Sequence, residues 1–133
     1  MIPVDQTIFE FGTGDCMRAC IASIFELDIE TVPNFMQDGN AKFNEYLNNW
    51  CESRFLRAID ITTDDLKILQ DCYVIACGDS PRAKNGERHA VVWLNEQIVF
   101  DPHPHRTGLN GPPTTYTIFV ILDPKKFFNF SNF

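Results

Sequence analysis

The stretch His89-Ala-Val-Val-Trp-Leu-Asn-Glu-Gln-Ile-Val-Phe-Asp101 decides the fold class. Two short runs rich in Val, Ile and aromatic residues flank Asn95-Glu96, the pattern of a hairpin between strands over 89–94 and 97–101. Upstream, Cys72-Tyr-Val-Ile-Ala-Cys77 is a continuous apolar run, suited to a central strand. Leu56–Ile61 reads as another short strand, and Thr115–Leu122, alternating and β-branched, as the last one. A polar loop over 78–87 and a Pro-, Gly- and His-rich loop over 102–114 separate these runs. The second half of the chain is therefore expected to form an antiparallel meander.

The first half has a different period. Residues 2–8 read as an extended lead-in, and Phe11-Gly-Thr-Gly14 is a turn signal. Asp15 or Thr13 then caps a helix running to about Leu27, with Met17, Cys20, Ile21, Ile24 and Phe25 on its buried face. Asp28-Ile-Glu-Thr-Val-Pro33 starts a short turn or a second helix. Gly39 opens another helix that places Phe43, Tyr46, Leu47, Trp50 and Cys51 on one face. Thr63–Gln70 is one helical turn or two, capped by Thr63. Helices followed by antiparallel strands predict an α+β domain with its helices on one face of a sheet. The domain spans 1–123, and 124–133 is an aromatic C-terminal tail.

Composition narrows the function. The chain has 133 residues, 44% of them hydrophobic, enough for a real core without disulfide or metal staples. Eighteen acidic residues against 11 basic give a net charge of −7, which argues against nucleic-acid backbone binding. The five cysteines, Cys16, Cys20, Cys51, Cys72 and Cys77, are an odd number and read as reduced thiols. The first residues lack a basic, then apolar, leader pattern, and no apolar run approaches a membrane span. These features place the protein in a reducing cytoplasm, away from membranes.

Three residues stand out chemically. Cys16 follows the Gly-rich turn at the expected first turn of a helix, where N–H groups and the helix dipole favour a thiolate and can bind an oxyanion. The same position also suits a small core residue. His89 opens a strand, a rigid platform with one edge toward solvent, which suits a general base and equally an exposed strand end. Asp101 ends the next strand. It could fix the imidazole tautomer, or simply start an Asp-Pro turn. Register decides between these. With a strict two-residue turn at Asn95-Glu96, Asp101 faces Ala90 and His89 points to the other face of the sheet. Pairing His89 with Asp101 therefore requires an odd-length loop or a bulge near 94–97.

Gly14-Asp-Cys-Met-Arg-Ala-Cys20, His89-Ala-Val-Val92 and Val99-Phe-Asp-Pro102, in that order, resemble the papain-like cysteine peptidase superfamily. The likeness is closest to its small, circular-variant members of the NlpC and bacteriocin-peptidase type. Together with Val32-Pro-Asn-Phe35 and Asp101-Pro-His-Pro104, the motifs also resemble small phage and bacterial proteins of that fold. The resemblance implies a nucleophile helix and a second helix packed on an antiparallel sheet of about four to five strands. It implies Cys16 as nucleophile, His89 as general base and Asp101 as orienter. It further implies a Gln ahead of the Cys as oxyanion donor. Gln6 is the candidate if Glu10–Gly14 loops back, with Asn34 and Gln37 as fallbacks.

Around these, Asp15, His103 and Arg88 are candidate substrate-binding residues. Arg82, Lys84, Arg88 and Arg106 form the local basic density of an acidic chain, suited to an anionic or carboxylate-bearing ligand. His103 and His105 have weak metal-ligand spacing, so neither a metal nor a cofactor is expected. Trp50, Trp93 and the Phe set read as core. The expected activity is a thiol hydrolase or acyltransferase acting on an amide- or peptide-type bond of a peptide or small molecule. The alternative is a papain-like scaffold without turnover that sequesters a small anionic ligand or a partner protein. A phage anti-defence or host-takeover role fits either. The aromatic tail is a candidate surface for a protein partner or for self-association.

Overall fold

A computed structural model describes residues 1–82 and 86–130. The order of elements is α1 (Cys16–Phe25), a 3-10 turn (Ile29–Thr31), α2 (Asn40–Ser53), β1 (Leu56–Ile61), α3 (Thr63–Leu66), β2 (Val74–Asp79), β3 (Arg88–Leu94), β4 (Gln97–Phe100), β5 (Thr115–Ile121) and α4 (Pro124–Asn129). The fold is α+β, with a five-stranded antiparallel sheet.

The sheet is not a meander. Its order is β1-β5-β2-β3-β4, so the last strand inserts between the first two. Both β1 and β2 run antiparallel to β5, hence parallel to each other. Two parallel strands need a crossover connection, and residues 62–73 supply it. α3 lies on this crossover, so the helices do not share one face. α1 and α2 cover one side of the sheet with Ile21, Phe35, Trp50, Leu56, Ile75 and Val92 in the larger core. Leu66 and Leu69 cover the other side, against Val74, Ala76, Val91 and Tyr116. Periodicity showed each strand but carried no signal for the insertion, which depends on pairing between segments far apart in sequence.

Local chemistry explains the elements. α1 buries Met17, Ala19, Cys20, Ile21, Ala22 and Ser23, more than a single stripe, because Ala and Ser let it sit close to the sheet. Glu26 ends it in the left-handed conformation. Asp28 caps the 3-10 turn through the Glu30 N–H. Gly39, at φ 77°, stands at the N-cap of α2. Thr62, not Thr63, caps α3, accepting from the Asp65 N–H. Cys72 falls before β2, so it and Cys77 do not share a strand. In the tail, Asp123 caps α4 and Phe127 packs on the larger core, whereas Phe128 is 75% exposed. The rest of the tail, 131–133, lies outside the described residues. No described helix is long and apolar enough to cross a membrane.

Candidate active site

The hairpin β3–β4 turns through Asn95 and Glu96, both at positive φ. Its register changes partway. Leu94 pairs Gln97 and Trp93 pairs Ile98, but Val92 pairs Phe100. Val99 is the extra residue. The bulge lies beyond the turn rather than at 94–97, and it has the required effect: one added residue reverses the facing of everything after it. Asp101 consequently reaches His89. The His89 Nε2 donates to Asp101 Oδ1 at 2.7 Å, with His89 5% and Asp101 4% exposed.

A carboxylate only accepts, so this bond places the proton of the neutral ring on Nε2 and leaves Nδ1 for another partner. Cys16 is the other side chain that acts on the ring. Burial by itself would lower the His89 pKa. The hydrogen bond to Asp101, hydrogen bonding to Cys16 and the charges of both outweigh it and raise His89 to about 9. Asp101 shows the complementary balance. Burial would raise it, but the bonds from His89 and from the His103 and Gly108 N–H groups lower it. Those two N–H groups stand at 2.9 Å from Oδ1 and 2.7 Å from Oδ2. The loop after β4 thus wraps around the carboxylate and fixes its rotamer.

Cys16 is the first residue of α1 and half-buried. It lines a cleft of about 870 Å³ together with Gln6, His89 and His103. Asp15 occupies the N-cap but gives no side-chain bond to the first turn. Its buried carboxylate turns to the lead-in instead, accepting from the Thr7 and Ile8 N–H groups, each at 2.9 Å, and from the Thr7 hydroxyl at 2.8 Å. Arg18 pairs with it at 3.3 Å. Asp15 therefore neither caps the helix nor faces the cleft. It folds residues 7–15 back on themselves, with Asp15 N donating to Ile8 O.

That loop brings Gln6 to the cleft wall despite its distance in sequence from Cys16. Gln6 is buried. Its Nε2 donates to Ile8 O at 2.9 Å, which leaves its second amide hydrogen available, and its Oε1 has no partner among the described residues. Asn34 instead ties Thr13 O to the Met36 N–H, and neither it nor Gln37 lines the cleft.

The basic cluster divides. Arg82 and Arg88 line the cleft, held by Thr107 and Thr114 respectively. Arg106 faces away, bonded to Asp5 at 2.6 Å and to the carbonyls of Asp101 and His103. Lys84 lies outside the described residues. His103 stacks edge-on between Phe9 and His105, 6.4 Å from the His89 ring, and burial and the nearby Arg82 lower its pKa. Among the described residues no three His, Cys, Asp or Glu side chains assemble a metal-binding group.

Burial raises Cys20 well above the ordinary thiol value, Cys77 to about 12 and Cys51 to about 11. Cys77 lines the cleft floor, and Asp60, Thr115 and Thr117 continue that floor across the sheet. The sequence reading missed this half of the cleft, because it depends on the insertion of β5. One signal was legible: Asn40, Asn44 and Asn48 recur every fourth residue along α2, and all three line the wall. No family model matches the chain, and neither a curated protein nor a solved structure does.

Proposed function

We propose that the protein is a papain-like thiol hydrolase or acyltransferase acting on an amide- or peptide-type bond. The observation that carries this reading is the directional relay at His89. Its Nε2 is committed to a buried Asp101, and its Nδ1 is left for a cysteine at a helix N-terminus inside a cleft. The Cys16 thiolate attacks the substrate carbonyl carbon, and the C=O electron pair moves onto oxygen. The Cys16 backbone N–H and the free Gln6 amide hydrogen are the candidate donors to that oxyanion. The His89 imidazolium gives its proton to the leaving amine, which departs and leaves a thioester on Cys16. Water or an acceptor nucleophile then releases the acyl group, with His89 taking the proton.

The pH dependence of iodoacetamide alkylation, read at each cysteine by mass spectrometry, tests this. Exposed Cys72 is the internal reference. Cys16 is expected to react fast at neutral pH and to lose that reactivity in His89→Ala. The gap between wild type and variant should close above about pH 9, where the imidazolium gives up its proton. A Cys16 that reacts no faster than Cys72 in both proteins sinks the nucleophile reading. It would leave the second one: a scaffold without turnover that sequesters an anionic ligand. The two guanidinium groups of Arg82 and Arg88 in the cleft favour that alternative.

A further inference from the structure

The cleft has two electrically different ends. Arg82, Arg88 and His103 lie near His89, with Glu87 beside them and Arg88 paired to Asp79 at 3.8 Å, whereas the far end, on the edge strand β1, carries Asp60 and, among the described residues, no basic lining residue. Asp60 is opposite Thr117 across the β1–β5 pair, and the buried Thr117 hydroxyl donates to its Oδ1 at 2.8 Å. That bond holds the side chain, and among the described residues Oδ2 has no hydrogen-bond partner. Among the described residues no Lys, Arg or His lies within ion-pair reach of Asp60. Cys77, on β2 between β5 and β3, lines the floor between the two ends.

The opposite wall is the Asn40, Asn44 and Asn48 stripe of α2. Carboxamides donate and accept without charge, so they can hold an extended chain and leave Asp60 un-neutralised. Met17, Leu47 and Ala58 make the surface between them apolar, while Asp60 itself is exposed at its edge. We propose that the far end of the cleft is a subsite for a cationic group, an amine or guanidinium on the substrate, selected by Asp60. This rests on Cys16 being the reacting thiol. β1 and β3 are three strand spacings apart, about 14 Å. A lysine two residues from the reacting carbonyl spans that distance in an extended chain.

The test is a matched set of thiol-directed peptides: chloroacetyl-Gly-Gly-Lys-amide and its analogues with norleucine or glutamate in place of lysine. Second-order rates at Cys16 are measured by mass spectrometry in the full chain, with iodoacetamide as the small neutral reference. The lysine probe is expected to react about two- to fivefold faster than the norleucine probe at low salt, and the glutamate probe slowest. Added salt should shrink the spread. Asp60→Asn keeps an acceptor for Thr117, and it should bring the lysine-to-norleucine ratio to about one. That ratio cancels any general effect of the substitution on the thiol. Fast iodoacetamide labelling with no lysine preference, or a preference that Asp60→Asn retains, overturns the subsite alone. Slow labelling of Cys16 by iodoacetamide overturns the thiol reading and the subsite with it.

Discussion

Two buried aspartates organise the two loops that flank the cleft, and they are built alike. Asp15 gathers the Thr7 and Ile8 N–H groups and pairs with Arg18. Asp101 gathers the His103 and Gly108 N–H groups and pairs with His89. Each carboxylate thus closes a loop and carries a single cationic partner. The difference lies in the partner. A guanidinium keeps its charge throughout the range in which proteins fold, whereas an imidazole gains and loses a proton there. In the proposed mechanism the same construction acts as a clamp at Asp15 and as half of a proton relay at Asp101.

Exchanging either carboxylate separates the two roles. Asp15→Ala leaves two backbone donors without their acceptor and takes one acceptor from the mostly buried Arg18. The expected loss is about 2–4 kcal/mol, read from urea midpoints, since the Thr7 and Ile8 donors are left unsatisfied at about 1–3 kcal/mol each, whereas Arg18 keeps Glu30 and the Ile29 and Val32 carbonyls. Asp101→Asn keeps the shape and one acceptor oxygen but no longer fixes the proton on His89 Nε2. It should cost less stability, about 1–3 kcal/mol, and slow Cys16 alkylation at pH 7 by roughly 10²-fold. Equal effects of the two substitutions on alkylation per folded molecule would break the comparison, because Asp15 would then belong to the relay as well.

Titration sharpens it further. His89 is raised from its ordinary 6.5 to about 9, so the stability it lends is fully present below pH 6.5 and lost as pH rises through about 9. Asp101 is lowered from 3.8, so its contribution is present above that value and lost as pH falls through its lower folded value. The wild-type urea midpoint should therefore form a plateau between these limits. In Asp101→Asn the alkaline edge should move toward neutral pH, because the hydrogen bond that His89 donates to Asp101 is the leading cause raising His89. An alkaline edge that stays near 9 in the variant would assign the shift to Cys16 instead.

The sequence revealed the local elements better than the topology. Helix and strand periods were local, so α1, α2 and every strand were legible within a few residues. The position of Cys16 at the helix start was legible because the Gly-rich turn precedes it directly. The register argument reached the need for an irregularity near the hairpin turn, but nothing in Gln-Ile-Val-Phe marks Val99 as the bulged residue. Asp15 was misread because its side chain serves residues seven and eight positions earlier rather than its own helix. The β5 insertion, and with it the Asp60 end of the cleft, has no local signature at all.

Two glycines give the finest test of the contrast. Gly108, at φ +74°, sits in the left-handed region, and a Cβ there would approach Ile98 Cδ1 to 3.1 Å. Its N–H is also one of the two backbone donors to Asp101. Gly108→Ala should cost about 1–2 kcal/mol from backbone strain and lower the Cys16 alkylation rate, because any shift of this N–H loosens the carboxylate that orients His89. Gly14 occupies the corresponding loop at Asp15 without a positive φ, and a Cβ would meet the Ile8 and Glu10 carbonyls at an ordinary 3.4 Å. Gly14→Ala should change stability by less than about 0.5 kcal/mol, its lower unfolded-state entropy roughly balancing the close contacts. Urea midpoints together with alkylation rates separate the cases. If Gly14→Ala slows alkylation as much as Gly108→Ala does, the turn before Cys16 shapes the site as directly as the loop around Asp101. The clamp at Asp15 would then be part of how the thiol is presented.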